Sequence, residues 1–206
     1  MKLLSINLWG SKKRIKRVWV KEMCYAKNIQ FLGIQESKMS KLELVSLKSL
    51  WGNYTFDYAV SLSRGFSGGI ISMWDPIFFV KERIWCDDNF IIVKGKWVNL
   101  TSTFFMINIY GPQTLTAKAN LWERLSNFIR GNEGVFVLFG DMNEVRNEDE
   151  RFGSSFNVVE ANTFNSFIVD TGLLDIPLSD RRFTWMNKAG SKMSRIDRVL
   201  VSHNAL

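Results

Sequence analysis

Six polar side chains stand where the surrounding sequence is otherwise apolar: Asn7, Glu36, Tyr110, Asp141, Asn143 and Asp197. Asp141 and Asn143 are the plainest case. Five apolar residues, 135–139, run into Gly140, and the acid and the amide follow one residue apart. A glycine-bounded run of this kind reads as a strand buried on both faces. A carboxylate at its carboxyl end would sit at the mouth of a sheet, where α/β folds place chemistry. Asp and Asn are also ordinary turn residues, so this segment alone leaves both readings open. Glu36 repeats the pattern after Phe31, Leu32, Gly33 and Ile34. One charge inside a strand is usually met by a local partner, whereas six such groups spread over the first, second, middle and last strands imply convergence on one site. Hard oxygen ligands such as Glu36 and Asp141, with amide neighbours, suit Mg²⁺, which takes one or two carboxylates and keeps waters for a substrate phosphate. Other chemistries lack their residues. The two cysteines, Cys24 and Cys86, have no zinc spacing, no glycine-rich phosphate loop is present, and the single histidine, His203, lies too close to the end for a Ser/His/Asp hydrolase.

These groups need strands to carry them. Residues 3–7 and 30–36 read as two short buried strands. Between them lies a basic segment with Lys12, Lys13, Arg14, Lys16, Arg17 and Lys21. Ile15, Val18, Trp19, Glu22, Met23 and Ala26 fall roughly at helical spacing there, which predicts an amphipathic helix whose basic outer face is either simply solvated or turned toward phosphate. Ser40 is the expected cap of a short helix ending near Leu50. Residues 56–62, 69–74, 78–85, 90–97 and 103–110 follow as strands without intervening helices, which argues for hairpins and antiparallel pairing. Thr116 is the expected cap of a helix that uses Leu121, Trp122, Leu125, Phe128 and Ile129 and ends at Gly131. Residues 157–172 form another helix. Residues 183–185 form a short aromatic strand, and residues 194–202 a final strand carrying Asp197 in its interior.

The bulk composition fits one domain over residues 1–206. Apolar residues make up 46% and charged residues 23%, which supports a packed core, and 16 Phe and eight Trp supply its volume. Both cysteines read as reduced core or near-core thiols of an intracellular protein. No segment approaches the ~18 apolar residues of a membrane helix, and the N-terminus reads as a strand rather than a signal peptide. The net charge of +7 favours a polyanionic partner.

Five segments taken in order resemble the motifs of the endonuclease/exonuclease/phosphatase superfamily. They are Ser5-Ile6-Asn7-Leu8-Trp9-Gly10, Gly33-Ile34-Gln35-Glu36-Ser37-Lys38, Asn108-Ile109-Tyr110-Gly111-Pro112-Gln113, Gly140-Asp141-Met142-Asn143-Glu144, and residues 194–202. The resemblance spans nearly the whole chain and is strongest to the endonuclease domain of plant LINE-type (non-LTR) retrotransposons. It implies an α+β fold of DNase I-like type, a four-layer α/β/β/α sandwich with the site at one edge of the sheet pair. It also implies a role for each polar residue. Glu36 would be the principal Mg²⁺ ligand, with Mn²⁺ as a substitute and Asn7 nearby. Asp141 would orient or deprotonate the attacking water, and Asn143 would hold nucleophile and phosphate. Tyr110 would contact the scissile phosphate, and Asp197 would orient a catalytic histidine. DNA is the implied partner of a monomer, contacted through Lys12, Lys13, Arg14, Lys16 and Arg17. A reverse transcriptase would follow in a full-length relative, and the nucleus would be the place of action on chromosomal DNA.

The chain departs from the family in one respect. The family's histidine belongs to a Ser-Asp-His motif on a further strand, which this sequence lacks, and His203 follows the Asp197 strand directly and reads as a surface residue. The expectation is a C-terminally truncated domain with its last strand missing, a sheet edge exposed and its hydrolysis impaired. Three readings of function follow: an impaired Mg²⁺-dependent DNA-nicking enzyme, a catalytically dead remnant that at most binds nucleic acid, and a phosphatase or phosphodiesterase acting on a small phosphate ester.

Overall fold

A computed structural model describes residues 1–8, 14–52, 55–63, 68–178 and 182–205. In order the elements are β1 (Leu3–Asn7), α1 (Arg14–Lys27), β2 (Phe31–Gln35), α2 (Leu44–Trp51), β3 (Asp57–Ser61), β4 (Ile70–Trp74), β5 (Phe79–Cys86), β6 (Phe90–Trp97), β7 (Phe104–Tyr110), α3 (Leu115–Arg130), β8 (Val135–Asp141), β9 (Arg151–Phe152), α4 (Val158–Asp170), β10 (Leu173–Asp175), β11 (Trp185–Met186), β12 (Met193–Ser194) and β13 (Asp197–Ser202).

Strand alternation sorts these elements into layers. On β2, Phe31 faces one core while Leu32 and Ile34 face another. On β8, Val135, Val137 and Phe139 point one way and Phe136 and Leu138 the other. Strands buried on both faces lie between other layers, and two sheets result: β1-β2-β4-β3 and β10-β13-β8-β7-β6-β5. Three cores fill the gaps. One joins α1 and α2 to the four-stranded sheet, one lies between the sheets, and one joins α3 and α4 to the six-stranded sheet. This is the α/β/β/α sandwich expected from the sequence. A small third sheet, β11-β12-β9, sits beside it.

The four-stranded sheet ends at β1, which pairs only with β2. Beside β1 opens a cavity of about 470 Å³, floored by Val137, Val199 and Val201 of the opposite sheet and reached by Leu3, Ser5 and Asp197.

Several expectations need correction. On α1 the buried residues are Val20 and Cys24, while Ile15, Val18 and Trp19 face solvent. The half-buried residues beside them are Lys16, Arg17 and Met23, because long basic stems can cover apolar surface while their charges stay polar-bonded. The helix is thus rotated from its expected orientation. Cys86 is exposed, although Cys24 is buried as expected. Helix α2 starts after Glu43 and α3 after Thr114, with no side-chain cap at either. Ser40 and Thr116 are therefore not caps. Asn157 does cap α4, its side-chain oxygen accepting from the Val159 and Glu160 N–H groups. The strand expected over residues 194–202 is split into β12 and β13, and Asp197 opens β13 rather than lying in its interior.

Gly140 makes the central packing feasible. Its φ is +134°, and a Cβ there would lie 2.1 Å from the Ile109 carbonyl oxygen. Any side chain would push β8 away from its parallel neighbour β7. Gly140→Ala should lower the unfolding free energy by about 2–4 kcal/mol in urea titration. An unchanged midpoint would show that the two strands have room to part.

Candidate active site

The register of three strand pairs brings the polar ends together. Asn7 is paired with Gln35, next to Glu36. Tyr110 lies opposite Asp141 in the β7–β8 pair, and Asp141 lies opposite Asp197 in the β8–β13 pair. Asn7 reaches across from the other sheet and donates from Nδ2 to Asp141 Oδ2 at 2.7 Å. The Asn143 N–H donates to Asp141 Oδ1 at 2.9 Å, and Asn143 Nδ2 donates to the Gly111 carbonyl at 2.6 Å. The Gly111 N–H returns to the Asp141 carbonyl at 2.7 Å. All six sequence-derived residues thus converge on one end of the sandwich.

Two of them adopt unusual backbone. Glu36 has φ of +52° and Asn143 of +50°, the left-handed region that non-glycine residues rarely occupy. Such conformers persist where their surroundings over-determine them. Around Glu36, the Ser37 and Lys38 N–H groups donate to the Gly69 and Gly68 carbonyls at 2.9 and 3.0 Å. The Lys38 ammonium lies 3.2 Å from the Glu36 carboxylate.

Electrostatics mark the same spot. Burial pushes Asp141 up to about 7; the Asp197 charge adds to this, the hydrogen bonds from Asn143 and Asn7 oppose it, and Glu36 adds further repulsion. Asp197 rises to about 6 through burial, opposed by hydrogen bonds from the Thr184 hydroxyl and its own backbone. Tyr110 is raised to about 12 by burial and by the charges of Glu36 and Asp141, so it stays a phenol and a donor at neutral pH.

The sequence reading missed several supports. The Thr184 hydroxyl oxygen accepts from the Ile196 and Asp197 N–H groups at 3.1 and 3.0 Å, pinning the start of β13. Arg198, fully buried, binds Asp175 at 2.5 Å and also Glu150. Lys118 bridges Glu144 at 2.7 Å and Glu160 at 2.5 Å behind the loop that follows Asn143. In the sequence, Arg198 sat beside the conspicuous Asp197, and an arginine inside an apolar run was the signal available for it. Thr184 and Lys118 gave no comparable signal. His203 lies in the exposed turn after β13, about 20 Å from Asp197 given the rise per strand residue.

The basic segment is only partly bound to this end. Lys12 and Lys13 lie outside the described residues. Arg14 is exposed at the start of α1. Lys16 donates to the Leu8 carbonyl at 2.5 Å, one residue from Asn7, and Arg17 reaches the Ser46 hydroxyl at 3.3 Å. Lys16 therefore stands at the mouth of the site, while Arg17 braces α1 against α2.

A family model for the endonuclease/exonuclease/phosphatase family matches residues 4–206. The chain belongs to that family. No curated protein sequence matches it. Among solved structures, the catalytic domain of Xenopus laevis APE2 superimposes with a TM-score of 0.76 at 16% identity, covering 99% of this chain and 83% of that one. The 3'-5' exonuclease NExo from Neisseria meningitidis gives 0.75 at 17%, covering 98% and 87%. The endonuclease domain of TRAS1, a telomere-specific non-LTR retrotransposon, gives 0.68 at 14%, covering 98% and 85%. At these identities the likeness establishes the DNase I-like fold, and the family membership rests on the matched family model.

The family fold implies a divalent cation. Among the described residues no group of three or more His, Cys, Asp or Glu side chains is placed to hold a metal ion. A hydrated Mg²⁺ needs only one or two carboxylates, and Glu36, whose charge acts on both Asp141 and Tyr110, is a donor whose repulsion such an ion would relieve. The residues present fit it.

The raised acids set a pH dependence. Asp141 binds its proton more tightly when folded than at the ~4 of an unfolded chain, so the folded state holds the extra proton between these values. Stability should therefore fall as pH rises from about 4 to about 7 and level off above that. Asp141→Asn should raise the unfolding free energy by about 1–3 kcal/mol at pH 8 and leave it unchanged near pH 4. Equal stability of the two proteins at pH 8 would contradict the buried-charge account.

Proposed function

We propose that the protein hydrolyses phosphodiester bonds in DNA with the help of Mg²⁺, nicking in the manner of a retrotransposon-type endonuclease. The carrying observation is the hydrogen bond from Asn7 to Asp141 beside Glu36, which joins an amide and two carboxylates from different sheets at one mouth. Glu36 would hold the cation, with Asn7 alongside. When bound, the ion would supply positive charge to neutralise phosphate and stabilise the leaving oxygen.

The chain's own groups have distinct tasks. Asp141, with a pKa of about 7, can take the proton of an attacking water at neutral pH, and the Asn7 amide fixes its Oδ2 while it does so. Asn143, whose Nδ2 donates to the Gly111 carbonyl, would help hold the nucleophile and phosphate. Tyr110 keeps its proton and can donate to a non-bridging oxygen as charge grows there. Arg14 and Lys16, near the same end, would neutralise neighbouring phosphates.

A second reading has its own observation. Asp197 has Thr184 as its side-chain partner, and the single histidine lies at the far end of β13. Among the described residues no imidazole stands beside Asp197, and the second reading is DNA binding without cleavage.

Nicking of supercoiled plasmid separates the readings. Mg²⁺ should support nicking, EDTA should abolish it, and Glu36→Ala should slow it by at least about 100-fold with the fold intact by circular dichroism. Metal-independent nicking would sink the mechanism. Salt-dependent binding with no cleavage would establish the second reading. Turnover of a small phosphate ester with DNA untouched would point to a phosphatase instead.

A further inference from the structure

A chain of hydrogen bonds crosses the largely apolar core between the sheets. Gln35 and Asn108 are both fully buried there, on β2 and β7, in opposite sheets. Gln35 Nε2 donates to Asn108 Oδ1 at 2.6 Å. Asn108 Nδ2 donates onward to the Ile71 carbonyl at 2.9 Å and the Ser72 hydroxyl at 3.2 Å on β4. Gln35 Nε2 also donates to the Ser5 hydroxyl of β1 at 3.2 Å. Space for the pair is cut by Gly33: a Cβ there would lie 3.0 Å from Asn108 Nδ2 and 2.3 Å from the Phe139 ring.

Each anchor stands just upstream of a site residue on its own strand. Ser5 precedes Asn7 by two residues, Gln35 precedes Glu36 by one, and Asn108 precedes Tyr110 by two. In a strand, residues two apart share a face, so Ser5 and Asn108 fix the strand faces that present Asn7 and Tyr110. Apolar packing alone tolerates a small slide of one sheet over another, because dispersion is non-directional. A buried amide pair is directional and costly to mismatch. It is also dispensable for stability when both partners are replaced by apolar groups of similar shape.

We propose that the Gln35–Asn108 pair is a positioning device, which sets the Glu36 side of the site against the Tyr110 and Asp141 side. The inference rests on the proposed hydrolysis only for its turnover assay.

The test uses Gln35→Met, Asn108→Leu and the double variant in the full chain. Each single variant leaves an amide buried without its partner and should lower the urea midpoint, while the double variant should recover most of the loss. Position should not recover with it. Crystal structures should show the Glu36-to-Asp141 separation altered by about 1 Å or more in the double variant, and plasmid nicking should lose about 30- to 100-fold in kcat with KM for DNA within about twofold. Mn²⁺ affinity, read by calorimetry, should fall in the same variants. A double variant that regains midpoint, separation and kcat together would overturn the proposal and leave the pair a packing element. Should the double variant not fold, Ser72→Ala removes one partner of Asn108 with little change in packing. Its kcat should fall about threefold, and wild-type kcat there would overturn the proposal. A wild-type protein that neither binds Mn²⁺ nor nicks DNA would sink the hydrolase reading alone, and the crystallographic separation, measured in the double variant or in Ser72→Ala, would still decide this one.

Discussion

The site depends on bonds that cross between the sheets, and the one at its mouth runs from the Asn7 amide to the Asp141 carboxylate. Asn7 belongs to the edge strand of the four-stranded sheet and Asp141 to an interior strand of the six-stranded one. The bond therefore reports on how the two sheets are set against each other, not on local chain geometry. Two glycines permit the approach. Gly33 leaves room for Phe139 between the sheets, and Gly140 lets β8 lie against β7. The left-handed turns at Glu36 and Asn143 then swing their side chains out of the strand alternation and into the mouth. Each turn is anchored by backbone hydrogen bonds or a side-chain bond to a neighbouring carbonyl, which is how an unfavourable φ persists in a folded chain.

Charge is distributed unevenly around this bond. Behind the site, the buried acids have cations in contact: Glu150 and Asp175 with Arg198, and Glu144 and Glu160 with Lys118. Removing either cation would strand carboxylates in the interior, so these pairs lock the loops that follow β8 and precede β13. At the mouth the balance differs. Asp141 and Asp197 face one another across paired strands, and both have raised pKa values. Lys38 meets Glu36 within the turn that follows β2. On the proposed reading, a cation held at Glu36 would relieve the repulsion between these acids.

What could be read from the sequence follows from how local each signal is. β8 was legible because a strand buried on both faces needs an unbroken apolar run, and the run over residues 135–139 admits little else. The convergence of six polar residues was legible because each interrupts such a run. Helix α1 was misjudged for a physical reason: its buried positions, Val20 and Cys24, carry less apolar surface than the exposed Ile15, Val18 and Trp19, so periodicity selected the wrong face. The break between β12 and β13 was hidden because it is made by tertiary bonds. The Ile196 carbonyl accepts from the Met142 N–H, and the Arg195 N–H donates to the Glu150 carbonyl, and neither partner is near in sequence. Thr184 escaped notice likewise, since an isolated threonine next to aromatics has no distinctive pattern. Lys12 and Lys13 belong to the segment outside the described residues, so the basic face is anchored here by Arg14 and Lys16.

The raised acids also link proton balance to ligand binding. With Asp141 near 7, a sizeable fraction of the folded protein carries a proton there at neutral pH. A cation placed at Glu36 would lower that value by direct attraction, because the repulsion now felt from Glu36 would be cancelled and reversed. Were an ion bound there, its binding and release of the Asp141 proton would be coupled, each favouring the other to the same degree. Under the proposed hydrolysis the base would then be more fully ionised with the cation in place than without it. Burial of Asp141 would in that case tie the activation of water to the ion that receives the phosphate.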